Sequence, residues 1–189
     1  MNKILFVNAC IRPDSRTYIL AQSVLKKLHG KIEEVNLERE DIKALNWRSL
    51  QERDAYVKSK KFSAPMFQYA KQFAEADEIV IAAPYWDLAF PATVRVYFEA
   101  VTVNGLTFMY TPEGYPAGLC KAKKIIYVTT AGGPIEGFNL GFDYIKALAQ
   151  MFYGIQKVLC YKAENLDING ADVEAIMERS KNEINHSNI

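Results

Sequence analysis

Five short runs typical of β-strands, separated by stretches with helical periodicity, constrain the fold most. The runs occupy residues 3–9, 31–37, 78–83, 123–130 and 154–162. Most of them are apolar without alternation, which is typical of strands covered on both faces. Helical patterns occupy residues 15–28, 65–76, 91–101 and 138–152, and a last one covers residues 171–185. The alternation predicts an α/β chain.

Right-handed crossovers place helices on both faces of a sheet, so the alternation favours a doubly wound, mostly parallel sheet of five strands. We predict the flavodoxin-like strand order 2-1-3-4-5. In such sheets ligands bind beyond the carboxyl ends of the strands at the switch point, where the strand order reverses. Residues 105–121 predict a hairpin-like insertion before strand 4. The polar segment between residues 37 and 65, with Trp47 and Tyr56, is interpreted as a lid, a dimer contact or a long crossover. Residues 1–189 are predicted to form a single domain.

Charge and composition narrow the classes of function. The chain has 23 basic and 22 acidic residues, so neither nucleic acid nor a membrane surface is an expected partner. Three cysteines without a CxxC motif argue against a disulfide framework or a zinc site and imply a reducing, cytoplasmic location. Only His29 and His186 are present, which disfavours a histidine-built metal site or a catalytic triad. If the chain is an enzyme, we expect a bound cofactor to carry the chemistry.

The loop after the first strand supplies groups that bind an anion. It contains Arg12, Arg16 and the hydroxyls of Ser15 and Thr17, and it leads into a helix whose free amides and dipole favour negative charge. It lacks the glycine motifs of Rossmann and Walker nucleotide sites. A terminal phosphate monoester would fit this loop. The alternative is that Asp14 or Ser15 only caps the helix.

The loops after strands 3 and 4 suit a flat ring. Two prolines bracket Tyr85 and Trp86 in the first loop, while Gly132 and Gly133 allow close approach to the backbone in the second. The alternative places both aromatic residues in the core or at a subunit interface. At one edge of the sheet, the three loops would together hold a phosphate, a chain and a ring, which are the parts of FMN.

Four motifs carry a resemblance to a known family: VNACIRPDSRT at 7–17, PYWDLAFP at 84–91, GLTFMYT at 105–111 and TTAGG at 129–133. Together they resemble the FMN-dependent NADH azoreductase and NAD(P)H quinone reductase family. The resemblance implies a flavodoxin-like homodimer with FMN near the interface. It also implies ping-pong transfer of two electrons from NADH or NADPH to quinones, azo compounds or similar small aromatic acceptors.

The same resemblance assigns roles to individual residues, none of them a catalytic nucleophile or a metal ligand. The phosphate would be surrounded by Cys10, Ser15, Arg16 and Thr17. The ring and the ribityl chain would be followed by Pro84, Tyr85, Trp86, Asp87 and Leu88, with a loop amide near the flavin N5. The other side of the ring would be lined by Thr130, Ala131, Gly132 and Gly133. The acceptor pocket would be walled by Tyr85, Trp86, Phe108 and Tyr110, the last two acting across the dimer.

Three positions depart from the pattern of many azoreductases, which have serine at Cys10, asparagine near Asp87 and arginine at Ala131. An ionised Asp87 would disfavour an anionic reduced flavin. Loss of the arginine changes how a nicotinamide or an anionic dye would be held. Cys10 is interpreted either as a redox thiol or, in the reading we favour, as a small buried neighbour of the phosphate that serine can replace.

Two other classes of function compete with the reductase. A flavodoxin-type one-electron carrier would bind the same cofactor, but such carriers usually need a strongly charged docking face, and this chain is balanced in charge. A flavin-free interaction protein would keep the fold without its cofactor.

Overall fold

The computed structural model describes residues 1–189. The main sheet consists of β1 (Lys3–Asn8), β2 (Lys31–Asn36), β3 (Glu78–Ala82), β6 (Lys124–Thr130) and β7 (Lys157–Ala163). A separate hairpin is formed by β4 (Phe108–Tyr110) and β5 (Pro116–Gly118). The helices are α1 (Arg16–Leu25), α2 (Trp47–Lys58), α3 (Gln68–Glu75), α4 (Ala92–Val101), α5 (Leu140–Leu148) and α6 (Val173–His186). None of them combines the length and apolarity needed to span a membrane.

The sheet has the predicted topology. All four strand pairs of the main sheet are parallel, in the order β2-β1-β3-β6-β7, and β4 pairs with β5 in the antiparallel sense. This confirms both the doubly wound order 2-1-3-4-5 and the hairpin inserted before the fourth sheet strand. Because the strands are parallel and in register, the ends of β1, β3 and β6 meet at one edge of the sheet.

The apolar side chains of the sheet pack into two cores, one on each face of the sheet. Leu5 and Val7 belong to a cluster of 21 buried residues, whereas Ile4 and Phe6 belong to another cluster of 15. Successive residues of a strand point to opposite faces, so the two cores together require an apolar residue at each position from Ile4 to Val7. This explains why the strands that were predicted from the sequence show no alternation.

The connection from α5 to β7 departs from the predicted boundaries. The helix pattern at 138–152 becomes α5 followed by a π turn over Ala149–Tyr153, and Gly154 ends the turn in the left-handed region at φ 76°. Residues 154–156, which were predicted to begin the last strand, form this cap and the short connection after it. β7 therefore begins at Lys157 and not at residue 154. Gly118 packs against the end of the turn, where a Cβ would overlap backbone atoms of Tyr153 and Gly154.

The polar segment between β2 and α3 contains a helix with no buried residue. α2 begins with a capping box in which Asn46 and Ser49 exchange hydrogen bonds. Its contacts include a hydrogen bond of 3.2 Å from Arg53 to the carbonyl of Glu99 and an edge contact of Tyr56 with Phe67. Trp47 at its start is 73% exposed.

Candidate functional site

A cleft of about 380 Å³ lies at the carboxyl edge of the sheet, between the loops that follow β1, β3 and β6. It brings together nine of the thirteen predicted cofactor-binding residues: Ser15, Arg16, Thr17, Pro84, Tyr85, Trp86, Thr130, Ala131 and Gly132. The lining also includes Ile11, Arg12, Asp14 and Asp167. The sheet topology therefore gathers segments that are far apart in the sequence.

The start of α1 forms one end of the cleft. Ser15 is its N-cap, and the Ser15 Oγ accepts a hydrogen bond of 3.2 Å from the amide of Tyr18. The amides of Arg16 and Thr17 have no acceptor within the protein. Thr17 is buried, and its Oγ1 lies 2.6 Å from the Oγ1 of Thr130, which joins the helix start to the end of β6. Free amides at a helix N-terminus make this end suitable for an anion.

The loop after β3 forms a second wall and is fixed at Tyr85. The Tyr85 amide donates to the carbonyl of Thr130 at 3.0 Å, and its hydroxyl donates to the carbonyl of Phe138 at 2.7 Å. The next residue, Trp86, is 41% exposed. A flat ligand in the cleft would therefore meet a rigidly held aromatic wall.

A strained turn follows Trp86. Asp87 and Leu88 both have left-handed backbones, with φ of 49° and 68°, and the amide of Ala89 closes the turn on the carbonyl of Trp86 at 2.8 Å. Two successive non-glycine residues in this region cost about 1 kcal/mol or more each. Trp86 and Ala89 form a two-residue antiparallel bridge, whereas the amides of Asp87 and Leu88 have no acceptor within the protein, so the turn presents two unused donors beside the cleft.

The loop after β6, which contains Ala131 and Gly132, forms the third wall of the cleft, and the loop after β7 holds it in place. The amide of Leu166 donates to the carbonyl of Ala131 at 3.2 Å, and the amide of Asp167 donates to the carbonyl of Gly132 at 2.9 Å. Arg16 reaches across the cleft, where Nη1 donates to the carbonyl of Leu166 at 3.0 Å and Nη2 pairs with Asp167 Oδ1 at 2.7 Å. Sequence reasoning missed Asp167, because it follows a strand outside the switch point and belongs to no motif.

Four predicted cofactor-binding residues do not line the cleft. Cys10 is buried behind it, with its thiol 3.8 Å from the carbonyl of Ala82, and borders a separate groove near β2. Asp87 and Leu88 form the exposed tip of the strained turn, and Gly133 has no neighbour within 4 Å of a Cβ position.

The two hairpin residues assigned to the acceptor pocket also lie outside the cleft of this chain. Phe108 is 6% exposed and packs on Phe152, whereas Tyr110 is 52% exposed. Tyr110 is therefore the residue of the pair that offers surface to a ligand or a partner.

Burial decides the chemistry of the thiols. It raises the pKa of Cys10 and of Cys160 to about 11, and that of Cys120 to about 12. A raised pKa leaves each thiol protonated and unreactive at neutral pH, because the thiolate is the nucleophile. We expect no cysteine to react with an aromatic disulfide reagent in the folded protein at pH 7.5, and all three to react in urea. Absorbance of the released thiolate measures both.

The pH dependence sharpens this prediction. The labelling rate of the folded protein should rise about tenfold per pH unit above neutrality until it levels off near the raised pKa values. A Cys10→Ser variant is expected to keep the fold and any flavin affinity. Rapid labelling of Cys10 at pH 7 in the folded protein would restore the interpretation as a redox thiol.

The strand order, together with an anion-binding helix start and an aromatic loop at the switch point, defines a class of protein. The chain belongs to the flavodoxin-like fold family, whose model matches residues 2–187. It is 37% identical over 190 residues to a protein of Lachnoclostridium phytofermentans named FMN-dependent NADH:quinone oxidoreductase, and this match covers 96% of the chain and 95% of that protein. A Clostridium acetobutylicum protein named FMN-dependent NADH:quinone oxidoreductase 2 is 34% identical over 192 residues, which cover 95% of the chain and 94% of that protein.

The fold is also similar to that of solved structures. An azoreductase from Bacillus anthracis has a TM-score of 0.84 at 26% identity, with 97% of each chain covered. These similarities confirm the family resemblance that the four motifs carried.

Proposed function

We propose that this protein is an FMN-dependent NAD(P)H oxidoreductase that passes two electrons to quinones, azo compounds or similar small aromatic acceptors by a ping-pong mechanism. The observation that carries the proposal is the meeting of an anion-binding helix start, a rigid aromatic wall and a glycine-containing loop in one cleft. The names of the relatives support FMN as the cofactor, NADH as the donor and quinones as acceptors.

The donor set of the cleft fits FMN. The unbonded amides of Arg16 and Thr17 suit a phosphate, and those of Asp87 and Leu88 suit the polar edge of a ring. A volume of about 380 Å³ is within the range of small-molecule sites. We assign Ser15, Arg16 and Thr17 to the phosphate. The ring is assigned to Pro84, Tyr85, Trp86, Thr130, Ala131 and Gly132, flanked by Asp87, Leu88 and Gly133, with Cys10 behind the phosphate end.

The chemistry requires little of the side chains. When bound, FMN supplies hydride acceptance and two-electron transfer, so no protein nucleophile is needed. Tyr85, held by its bond to the carbonyl of Phe138, and the partly exposed Trp86 orient flat substrates by stacking. One aromatic-walled opening that serves donor and acceptor in turn favours a ping-pong order, because the first product must leave before the second substrate binds.

We also propose that the protein is a homodimer of the cytoplasm. Leu88, Phe138 and Leu140 are each about half exposed beside the cleft, and the hairpin carries the exposed Tyr110. A group of exposed apolar residues such as Leu88, Phe138 and Leu140 is typical of a subunit interface. The three cysteines are free thiols, which suits a reducing compartment. Light scattering of the protein as it elutes from a size-exclusion column should give twice the monomer mass of 21.4 kDa, and a monomer at micromolar concentration would contradict the dimer.

Anaerobic stopped-flow absorbance tests the activity. The FMN-loaded protein should lose its visible absorbance when mixed with NADH and regain it when mixed with a benzoquinone. Steady-state rates should give parallel double-reciprocal lines. A protein that takes up FMN but is not reduced by NADH or NADPH would instead indicate a one-electron carrier. A protein that refuses micromolar FMN would indicate an interaction protein and overturn the proposal.

A further inference from the structure

We propose that Asp167 binds the ribityl chain of the cofactor, with its carboxylate accepting a hydrogen bond from a hydroxyl of that chain. The inference rests on the proposed function and adds a binding residue that the motifs do not contain. It starts from the position of the side chain, which lines the cleft and is 64% exposed to it and to solvent.

The carboxylate lies between the two ends of the cleft. Its Oδ1 is 2.7 Å from the Nη2 of Arg16, the first residue of α1, whose backbone amide is one of the free donors. Its Oδ2 lies over Gly132, on the side of the ring-binding loops, where a Cβ at Gly132 would overlap it. A chain that joins a phosphate at one end to a ring at the other therefore passes this carboxylate.

The two oxygens are not equivalent. Arg16 occupies Oδ1, whereas Oδ2 receives no hydrogen bond from the protein. The residue is also well anchored, because its amide donates to the carbonyl of Gly132 at 2.9 Å and Arg16 is held a second time by the carbonyl of Leu166. The cleft thus contains a pre-positioned acceptor with an unused lone-pair direction.

A polyol is the part of FMN that matches such an acceptor. Hydroxyl groups donate to a carboxylate in short, charge-assisted hydrogen bonds, which are stronger than neutral ones. A phosphate would be repelled by the same charge, and the flat ring has few donors to offer. The chemistry of Oδ2 therefore selects the hydroxyl-bearing chain.

Flavins that differ in their side chains separate this role from the alternatives. Affinities of FMN, riboflavin and lumiflavin are measured by flavin fluorescence for the wild-type protein and for the variants Asp167→Ala and Asp167→Asn. FMN has both chain and phosphate, riboflavin has only the chain, and lumiflavin has neither. Asp54→Asn is the matched control, because Asp54 is an exposed carboxylate on α2 outside the cleft.

We expect Asp167→Ala to weaken the binding of FMN and of riboflavin by the same factor, about 10- to 100-fold, because a hydrogen bond to a charged group is lost. Lumiflavin affinity should stay within about twofold. Asp167→Asn keeps an acceptor of the same shape, so it should weaken the binding of FMN and riboflavin by only about fivefold. Asp54→Asn should change none of the affinities.

Three outcomes would overturn the assignment. A loss of affinity for FMN alone would show that Asp167 acts on the phosphate through Arg16. An equal loss for lumiflavin would show a general effect on the cleft, and no loss for any flavin would show no role. If the wild-type protein binds none of the three flavins, the proposed function itself fails, which is a separate result.

Discussion

Replacing Ser15 with aspartate is expected to weaken FMN binding by at least about 100-fold while leaving the fold intact. Aspartate caps a helix as well as serine does, so the hydrogen bond to the Tyr18 amide is kept. Its charge, however, would lie at the helix end assigned to the phosphate. Two unit charges about 4 Å apart repel each other by about 4 kcal/mol near a protein surface, and a phosphate carries more than one. Fluorescence titration with FMN measures the loss.

A neutral cap and a ligand without a phosphate control this experiment. Ser15→Asn is also a good cap, and it should retain FMN affinity within about tenfold. Riboflavin should bind the wild-type protein and the Ser15→Asp variant with affinities that differ by less than about fivefold, because it carries no charge there. If Ser15→Asp binds FMN as tightly as the wild type, the phosphate does not lie at the start of α1.

Replacing Gly118 with alanine is expected to lower the free energy of unfolding by about 3 kcal/mol. The new Cβ would overlap backbone atoms of Tyr153 and Gly154, and backbone cannot move aside as a flexible side chain can. The hairpin would have to separate from the π turn that precedes β7. Urea denaturation of the flavin-free protein, followed by tryptophan fluorescence and by circular dichroism, gives the change.

Gly133→Ala is the matched substitution. Nothing lies within 4 Å of a Cβ at Gly133, so its free energy of unfolding should stay within about 0.5 kcal/mol of the wild-type value. Equal stability of the two alanine variants would mean that the contact between β5 and the π turn is looser than the structure shows.

Much of the fold follows from patterns that act locally. Apolar runs such as that of β1 report burial on both faces, and helical periodicity reports the layers between the strands, so the topology could be predicted. The hairpin was visible as a turn-rich stretch with near-alternating residues. The cleft was predictable too, because the switch-point rule states where loops meet once the strand order is known.

The remaining features depend on tertiary contacts that no local pattern encodes. The turn at Asp87 and Leu88 has no glycine to signal its left-handed backbone. Asp167 enters the cleft only because the loop after β7 bonds to Ala131 and Gly132. Gly154 was predicted to start the last strand, but in the structure it caps the π turn beside Gly118. Each depends on a segment that is distant in the chain, which for the turn at Asp87 and Leu88 is the start of α5, where the amide of Leu140 donates to the carbonyl of Leu88 at 3.0 Å.

The interior position of β1 in the sheet has a consequence for biosynthesis. This strand pairs with β2 on one side and with β3 on the other, so it needs residues up to Ala82 before both of its edges are satisfied. A nascent chain that has left the ribosome only as far as β2 therefore carries a strand with one unpaired backbone edge and strongly apolar side chains. During that interval the nascent polypeptide is prone to misassociation, and chaperones that shield hydrophobic segments would matter most before the third strand emerges.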